Sequence, residues 1–365
     1  MFLGAYKGKR VLVTGHTGFK GSWLSLWLLR LGAEVAGFSL FLPSDPCNFE
    51  ALKLENKIRH YEGDVRNIDE IKKVMEEFKP EIVFHLAAQS LVRRSYDQPK
   101  DTFDTNLGGT VNILEGIRNC PSVRAAVIIT SDKCYRNVEQ DLGYHEDDTL
   151  GGDDPYSASK GCAELAVRSY AVSYFNKDDS PKVSTTRAGN VIGGGDWAQD
   201  RIIPDCVRAW SRKKESIIRN PEATRPWQHV LEPLSGYLWL GANLIKNPEK
   251  VTGEAFNFGP DEKVVQPVKE LVDQFLRSWP EGQWKHMPSS GGKKESSLLS
   301  LSCDKALKIL GWQPVLDFDE TVNLTAEWYK TYYDGGNIYD FSCTQIDSYV
   351  EKGFGKNASW TKKGA

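Results

Sequence analysis

The sequence predicts an α/β fold: a doubly wound parallel sheet followed by a smaller α/β lobe. Three observations carry this. Short β-type runs alternate with helical patterns through the first half of the chain, and such alternation implies a parallel sheet with right-handed crossovers. The runs are apolar without strict alternation, as suits strands buried on both faces. A glycine-rich turn joins the first run to the first helix.

In order, the runs are Arg10–Thr14, Glu34–Leu40, Ile82–Leu86, Ala125–Ile129 and Val183–Arg187, and a further short run ends at Glu62-Gly63-Asp64-Val65. Helical patterns fit Phe19–Leu31, Ile68–Phe78, Thr105–Asn119 and Tyr156–Phe175. After about Arg187 the rhythm changes, and Gly193, Gly194, Gly195, Pro204, Pro221, Pro226 and Pro233 punctuate shorter elements. The expected organisation is a first domain over 1–188, to which a segment near 229–259 returns, a second lobe over 189–350, and a loose tail over 351–365. Trp328, Tyr329, Tyr332 and Tyr333 recur at helical spacing and are expected in the core, as are Trp210, Trp239 and Trp284.

The 365 residues are about two domains' worth, and 40% hydrophobic with 26% charged residues is ordinary for a soluble globular chain. With 46 basic and 49 acidic residues the net charge is −3, so nothing marks a nucleic-acid or membrane partner, and neither is expected. The seven cysteines are odd in number and show no C-x-x-C spacing. They form neither a disulfide framework nor a zinc site, so no metal is expected and a cytoplasmic location fits. The N-terminus has no signal-peptide layout.

The turn reads Gly15-His-Thr-Gly18-Phe-Lys-Gly21. Glycines here let the strand turn sharply and let backbone N–H groups approach a pyrophosphate at the helix N-terminus, the Rossmann arrangement. The acid that usually ends the second strand and holds a ribose diol is replaced by Ser39, and Glu34 comes too early, so these residues leave NAD and NADP both open. Asp64 is a candidate for the adenine amino group.

Tyr156 and Lys160 are four apart, on one helical face. A nearby ammonium lowers a phenol's pKa and lets it take a proton from a hydroxyl. The other pair at this spacing, Tyr96 and Lys100, has Pro99 before its lysine and cannot lie mid-helix, whereas the Tyr156 pair follows Pro155, a good helix-start residue.

Further motifs extend the pattern: His85-Leu-Ala-Ala-Gln89, Thr105-Asn106-Leu-Gly-Gly-Thr-Val-Asn-Ile-Leu-Glu115, Arg187-Ala-Gly-Asn190-Val-Ile-Gly-Gly-Gly-Asp-Trp197 and Leu310-Gly-Trp-Gln-Pro314. Together with the glycine turn and the Tyr156/Lys160 pair they resemble the extended short-chain dehydrogenase/reductase family over nearly the whole chain. The resemblance implies NAD as cofactor, held by Gly15, Thr17, Gly18, Phe19, Gly21, Ser39, Asp64, Val65, Leu86, Ala87, Ala88, Thr105, Tyr156 and Lys160. It implies a nucleotide-sugar-binding C-terminal lobe, with Gln89, Ser131, Asn190, Arg201 and Arg225 toward the substrate. It also implies a homodimer or dimer of dimers through the helices that begin near Thr105 and Tyr156.

Thr130-Ser131-Asp132-Lys133-Cys134-Tyr135 follows the fifth strand. Family 4-epimerases carry the Ser/Thr without a neighbouring acid–base pair; dehydratases acting on dTDP-glucose carry Thr-Asp-Glu. Lys133 in place of the Glu, with the Gly-His-Thr-Gly-Phe-Lys-Gly turn, is similar to the branch acting on CDP-glucose. The implied chemistry is C4 oxidation, C5/C6 water loss and hydride return to C6, in the supply of deoxy sugars for bacterial surface polysaccharide. The implied catalytic set is Ser131, Asp132, Lys133, Tyr156 and Lys160, with Asp132 as acid and Lys133 either as base or as a charged stabiliser of the enolate. The competing readings are a nucleotide-sugar 4-epimerase, another nucleoside-diphosphate-hexose dehydratase, and a silent dinucleotide-binding protein.

Overall fold

The computed structural model describes residues 1–140, 142–261, 264–288 and 299–362. Its core is a seven-stranded parallel sheet. The strands are β1 (Arg10–Thr14), β2 (Glu34–Ser39), β3 (Arg59–Glu62), β4 (Ile82–His85), β5 (Ala125–Ile129), β6 (Lys182–Ala188) and β7 (Ala255–Phe258), in the spatial order 7-6-5-4-1-2-3. The order reverses between β1 and β4, and Thr14 lies beside His85 there. In open α/β sheets ligands bind outside the strand ends at such a reversal.

Alternate residues of the strands feed two apolar layers. Val11, Val13, Ile82, Phe84, Ala125 and Val127 pack with Trp23, Trp27 and Leu28 of α1 (Phe19–Arg30) on one face. Leu12, Val83, Ala126 and Ile128 pack on the other with α2 (Ile68–Phe78), α3 (Gly109–Arg118) and α4 (Pro155–Ser173). This period-two split is what a sheet covered on both faces requires. The run expected as one helix from Thr105 begins inside a π-helical turn, Asp104–Gly108, that continues into α3. Tyr96 and Lys100 fall on separate short helices, with Pro99 opening the second.

The smaller lobe carries α5 (Ile202–Trp210), an antiparallel pair of Thr224–Pro226 with Val265–Pro267, and a parallel pair of Ser216–Ile218 with Trp284–His286. Helix α6 (Leu231–Lys246) is nearly all buried beside β5 and β6 and leads toward β7. Helices α7 (Val268–Ser278), α8 (Phe318–Tyr333) and α9 (Ile338–Gly355) complete the chain. Trp328 and Tyr329 are fully buried, Trp210 and Trp239 nearly so, and Trp284 is partly exposed.

The expectation of a loose C-terminus is corrected up to Lys362. Residues 351–355 belong to α9, and Trp360 is fully buried, stacked on Phe2 (centroids 5.4 Å apart, 14° between planes) and on Tyr349 (5.4 Å, 6°). A buried tryptophan of this size anchors its segment through apolar area, which outweighs the polar composition around it. Residues 363–365 lie outside the described residues.

Candidate active site

The glycine turn opens α1 at the end of β1. Gly15 has φ +72°, and a Cβ there would lie 2.7 Å from the Ala87 amide nitrogen, so β1 and the segment after β4 close on each other at this point. A Cβ on Gly21 would lie 2.2 Å from the Gly15 carbonyl oxygen. Gly18 is different: it is the N-cap of α1, no side chain caps the helix, and a Cβ there would meet only the Gly15 carbonyl oxygen, at 3.2 Å. Two glycines thus serve packing inside the turn, while the third leaves the uncapped N–H groups of α1 open to an anion. These residues fit the pyrophosphate of a dinucleotide.

Ser39 stands where an acid was sought, and its hydroxyl is engaged within the turn. It lies 3.0 Å from His16 Nδ1 and accepts a long contact of 3.4 Å from the Thr17 amide. His16 Nε2 in turn lies 2.7 Å from His60 Nδ1. The Thr17 hydroxyl donates to the Phe41 carbonyl at 2.9 Å. Asp64 accepts from the Arg66 amide and from Arg66 Nε at 2.9 and 2.8 Å, and these contacts hold its carboxyl below the usual range against burial. Val65 is buried and sets the spacing to Gly109, where a Cβ would come within 2.7 Å of Val65 Cγ2. Leu86, Ala87 and Ala88 follow β4 and are partly exposed, as are Phe19 and Thr105.

At the end of β5, Ser131 caps a short turn, Asp132–Cys134, by accepting from the Lys133 amide at 3.2 Å. Its hydroxyl donates to Asp132 Oδ1 at 2.8 Å. Asp132 Oδ2 is buried and, among the described residues, has no hydrogen-bond partner. Lys133 Nζ lies 3.6 Å from Asp132 Oδ1, with the lysine side chain 36% exposed and the aspartate 3%. Facing this turn is α4, which starts at Pro155 because Asp154 accepts from the Ser157 amide at 3.0 Å.

Tyr156 and Lys160 lie on the first turns of α4, both buried. Lys160 Nζ donates to the Ile129 carbonyl at 3.3 Å and is lowered to about 8 by burial, with Glu164 opposing. The expectation that the ammonium pulls the phenol down is corrected: Tyr156 is pushed up to about 12. Burial dominates, Asp132 adds to it, and a Ser131 contact and Arg201 oppose it. The protein alone therefore holds the phenol protonated and ready to donate a hydrogen bond.

The candidate substrate residues divide. Arg201, the N-cap of α5, donates to Asp196 at 2.7 Å and is close enough to Tyr156 to perturb it. Asn190 is partly exposed beside β6, its carbonyl accepting from the Gln228 amide at 3.1 Å. Arg225, on the antiparallel pair of the smaller lobe, donates to the Thr224 carbonyl at 2.8 Å. Gln89 is spent locally: its amide nitrogen donates to the Leu91 carbonyl and Thr102, and its oxygen accepts from the Leu91 amide at 2.7 Å. It shapes the loop after β4 rather than offering its side chain outward.

Two residues escaped the sequence reading. Glu164, one turn beyond Lys160, is buried and accepts from Thr185 at 2.7 Å and from Arg187 Nε and Nη2 at 3.0 and 2.9 Å, besides Thr130. The signal was its spacing of four from Lys160 on the same face. Lys20, on the first turn of α1, is lowered to about 8 by burial first, with Arg201 and Lys160 adding and Asp132 and Asp196 opposing. Its signal was a lysine among Phe19, Trp23 and Leu24 at the start of an apolar helix.

Fold and site thus define a dinucleotide-binding α/β protein of the extended short-chain dehydrogenase/reductase type. The family model described as GDP-mannose 4,6 dehydratase matches residues 12–325, and the chain belongs to that family. It is 44% identical, over 349 residues, to the CDP-glucose 4,6-dehydratase of Salmonella typhimurium, covering 94% of this chain and 97% of the relative. Among solved structures it is similar to the epimerase Mth375 of Methanothermobacter thermautotrophicus (TM-score 0.78, 24% identity, covering 91% and 95% of the two chains). It is also similar to DesIV, the dTDP-glucose 4,6-dehydratase of Streptomyces venezuelae with NAD and TYD bound (TM-score 0.75, 23% identity, 90% and 98%). Among the described residues no helix is long and apolar enough to cross a membrane.

Proposed function

We propose that this protein is an NAD-dependent 4,6-dehydratase that converts CDP-glucose to CDP-4-keto-6-deoxyglucose and water. The observation that carries the reading is the Ser131-Asp132-Lys133 turn facing Tyr156 and Lys160, in a chain 44% identical to a CDP-glucose 4,6-dehydratase. An epimerase needs the tyrosine and the lysine but has no use for an acid–base pair beside them.

When bound, NAD would supply the hydride acceptor for the sugar's C4 and the hydride donor for C6, and its oxidised ring would bring a positive charge to the site. Tyr156 takes the 4-hydroxyl proton, for which its pKa must fall from about 12 as positive charge gathers beside it. Ser131 orients the same oxygen. The resulting 4-ketone acidifies C5. Asp132 must then donate a proton to the leaving 6-hydroxyl, while Lys133 accepts the C5 proton. One proton moved from Lys133 to Asp132 across their 3.6 Å contact prepares both groups at once, without changing the net charge. Loss of water as the sugar closes the site favours this neutral pair, since burial disfavours charge. If Lys133 stays charged, it stabilises the enolate instead. We place the enzyme in the cytoplasm, as a homodimer or dimer of dimers, supplying a 4-keto-6-deoxy sugar for O-antigen-type lipopolysaccharide.

The test is incubation with NAD and, separately, CDP-, dTDP-, UDP- and GDP-glucose deuterated at C4, with product masses and label positions read out. Loss of one water with deuterium at C6 from CDP-glucose alone is the expected result. Water loss from another nucleotide keeps the chemistry and discards the substrate. Unchanged mass with all four discards the dehydratase reading.

A further inference from the structure

The turn that carries Ser131, Asp132 and Lys133 is flanked by Thr130 and Tyr135, and both flanking side chains end on one buried ion pair. On the near side the Thr130 hydroxyl donates to Glu164, while its amide donates to the Thr186 carbonyl at 2.8 Å. On the far side the Tyr135 hydroxyl accepts from Arg187 Nη1 at 2.6 Å and donates to Asn257 Oδ1 at 2.8 Å. Glu164 and Arg187 meet each other at 2.9 Å, both side chains almost fully buried.

The same pair is tied to the face opposite the turn. Glu164 lies on α4, one helical turn beyond Lys160, whose ammonium donates to the Ile129 carbonyl at 3.3 Å. Helix α4 therefore grips the end of β5 at consecutive residues, Ile129 through Lys160 and Thr130 through Glu164. Arg187 lies on β6 beside Asn257 of β7. Asn257 is itself fixed, its amide donating to Glu146 Oε1 at 2.7 Å and its side-chain nitrogen to the Tyr144 and Ser302 carbonyls at 2.8 and 3.1 Å. The Arg187 guanidinium also sits over the Tyr135 ring, 4.8 Å from its centroid, and Tyr144 stacks on that ring at 5.2 Å.

A buried ion pair is often no more stabilising than apolar residues of the same volume, so stability does not account for placing one directly behind the site. What the pair supplies beyond apolar contact is direction, because a guanidinium presents its donors in a rigid fork. Reacting groups must be held within about 0.5 Å of their working geometry, and a misplacement of about 1 Å can cost about a hundredfold in rate. We propose that Glu164, Arg187 and Tyr135 are positioning residues that set Asp132 and Lys133 at a fixed spacing from Tyr156 and Lys160, so that water loss follows oxidation on the same bound sugar. The proposal rests on the dehydratase reading for the steps it serves. The two ends of the turn serve different steps. The Thr130 end carries Ser131, which orients the 4-oxygen, and the Tyr135 end carries Asp132 and Lys133. Loosening the Tyr135 end therefore disturbs elimination while oxidation persists.

The experiment compares the full-length wild type with Tyr135→Phe and Tyr144→Phe. Tyr135→Phe keeps the ring under the guanidinium and removes only the hydroxyl. Tyr144→Phe makes the same change in the stacked neighbour, whose hydroxyl bonds Asn137 and the Val138 amide instead of Arg187. After rapid mixing with NAD and CDP-glucose, the rise of reduced-nicotinamide absorbance reads C4 oxidation, and its decay reads the elimination and hydride return that follow. In Tyr135→Phe the decay is expected to slow at least about tenfold while the rise stays within about threefold of wild type. A merely structural role shrinks both amplitudes with the folded fraction and leaves both rates alone. Hydrogen exchange read by mass spectrometry, without sugar, is expected to quicken at least about tenfold over residues 131–136 in Tyr135→Phe. Tyr144→Phe is expected to match the wild type in both measurements. Equal slowing of rise and decay in Tyr135→Phe, unchanged exchange over that segment, or the same split of rates in Tyr144→Phe overturns the proposal. A wild type that releases no water from CDP-glucose removes the dehydratase reading instead, and the exchange measurement then decides by itself whether the Tyr135 hydroxyl holds the turn.

Discussion

The Glu164–Arg187 pair is the most exposed to test of the structural claims. Both side chains are almost fully buried, and Glu164 accepts two hydrogen bonds from the guanidinium, at 3.0 and 2.9 Å, while Thr130 and Thr185 donate to the same carboxylate. Glu164→Gln keeps the shape but removes the charge and turns an amide N–H₂ toward groups that are all donors. Among the described residues Arg187 then keeps hydrogen bonds to Tyr135 at 2.6 Å and the Glu146 carbonyl at 3.0 Å, neither of them an anion. Breaking a buried pair on one side costs about 3–5 kcal/mol, because the remaining charge is uncompensated. Unfolding entropy of about 2.1 cal/mol/K per residue, over 365 residues, converts about 4 kcal/mol into a fall in Tm of about 5 °C. The assay is calorimetric melting at neutral pH, with urea unfolding as a check. The double variant Glu164→Gln/Arg187→Met removes the stranded cation and is expected to recover at least half of the loss. A fall below about 1 °C in the single variant, or a double variant worse than the single, refutes the account of a charge pair buried for mutual compensation.

Asp132→Asn removes the acid but leaves the first oxidation intact; reduced cofactor or the 4-keto-glucose species should accumulate, seen by nicotinamide absorbance and product mass. Lys133→Ala should slow water loss at least about a hundredfold, the low end for a positioned acid–base group, while C4 oxidation, read as label wash-in to the cofactor, persists. Glu232 is buried on α6, accepts from the Val315 amide and from Tyr349, both at 2.8 Å, and is nevertheless pushed from 4.5 to about 7 by burial. Because the folded state holds this proton longer than the unfolded chain, its contribution falls as pH rises from about 4.5 to about 7, by about 3 kcal/mol. Glu232→Gln should flatten that part of the stability–pH curve, and a curve identical to the wild type's removes Glu232 from it.

Much of the frame was legible because it rests on local patterns. A strand buried on both faces reads as an apolar run, and the Arg10–Thr14 and Ala125–Ile129 runs are strands with those bounds. The glycine turn declares itself because a positive φ at Gly15 and a close approach at Gly21 exclude other side chains. What stayed hidden depends on how a loop closes on itself or on residues brought together from far along the chain. The polar ends of Gln89 look available until its own loop, through Leu91 and Thr102, is seen to consume them. The tail looks loose until Trp360 is seen on Phe2, at the opposite end of the sequence.

The Tyr156 result shows why spacing alone misjudges electrostatics. Four residues of separation guarantee a shared helical face, but the same geometry that brings Lys160 near Tyr156 also takes both out of water. Desolvation acts on each charged form separately, raising the phenol to about 12 and lowering the ammonium to about 8, and it outweighs the opposing Ser131 and Arg201 at the phenol and Glu164 at the ammonium. The carboxylate one turn further along, Glu164, is committed to Arg187. The pair is therefore set by the protein to wait in its hydrogen-bonding state and to ionise only when ligands change the charge of the pocket.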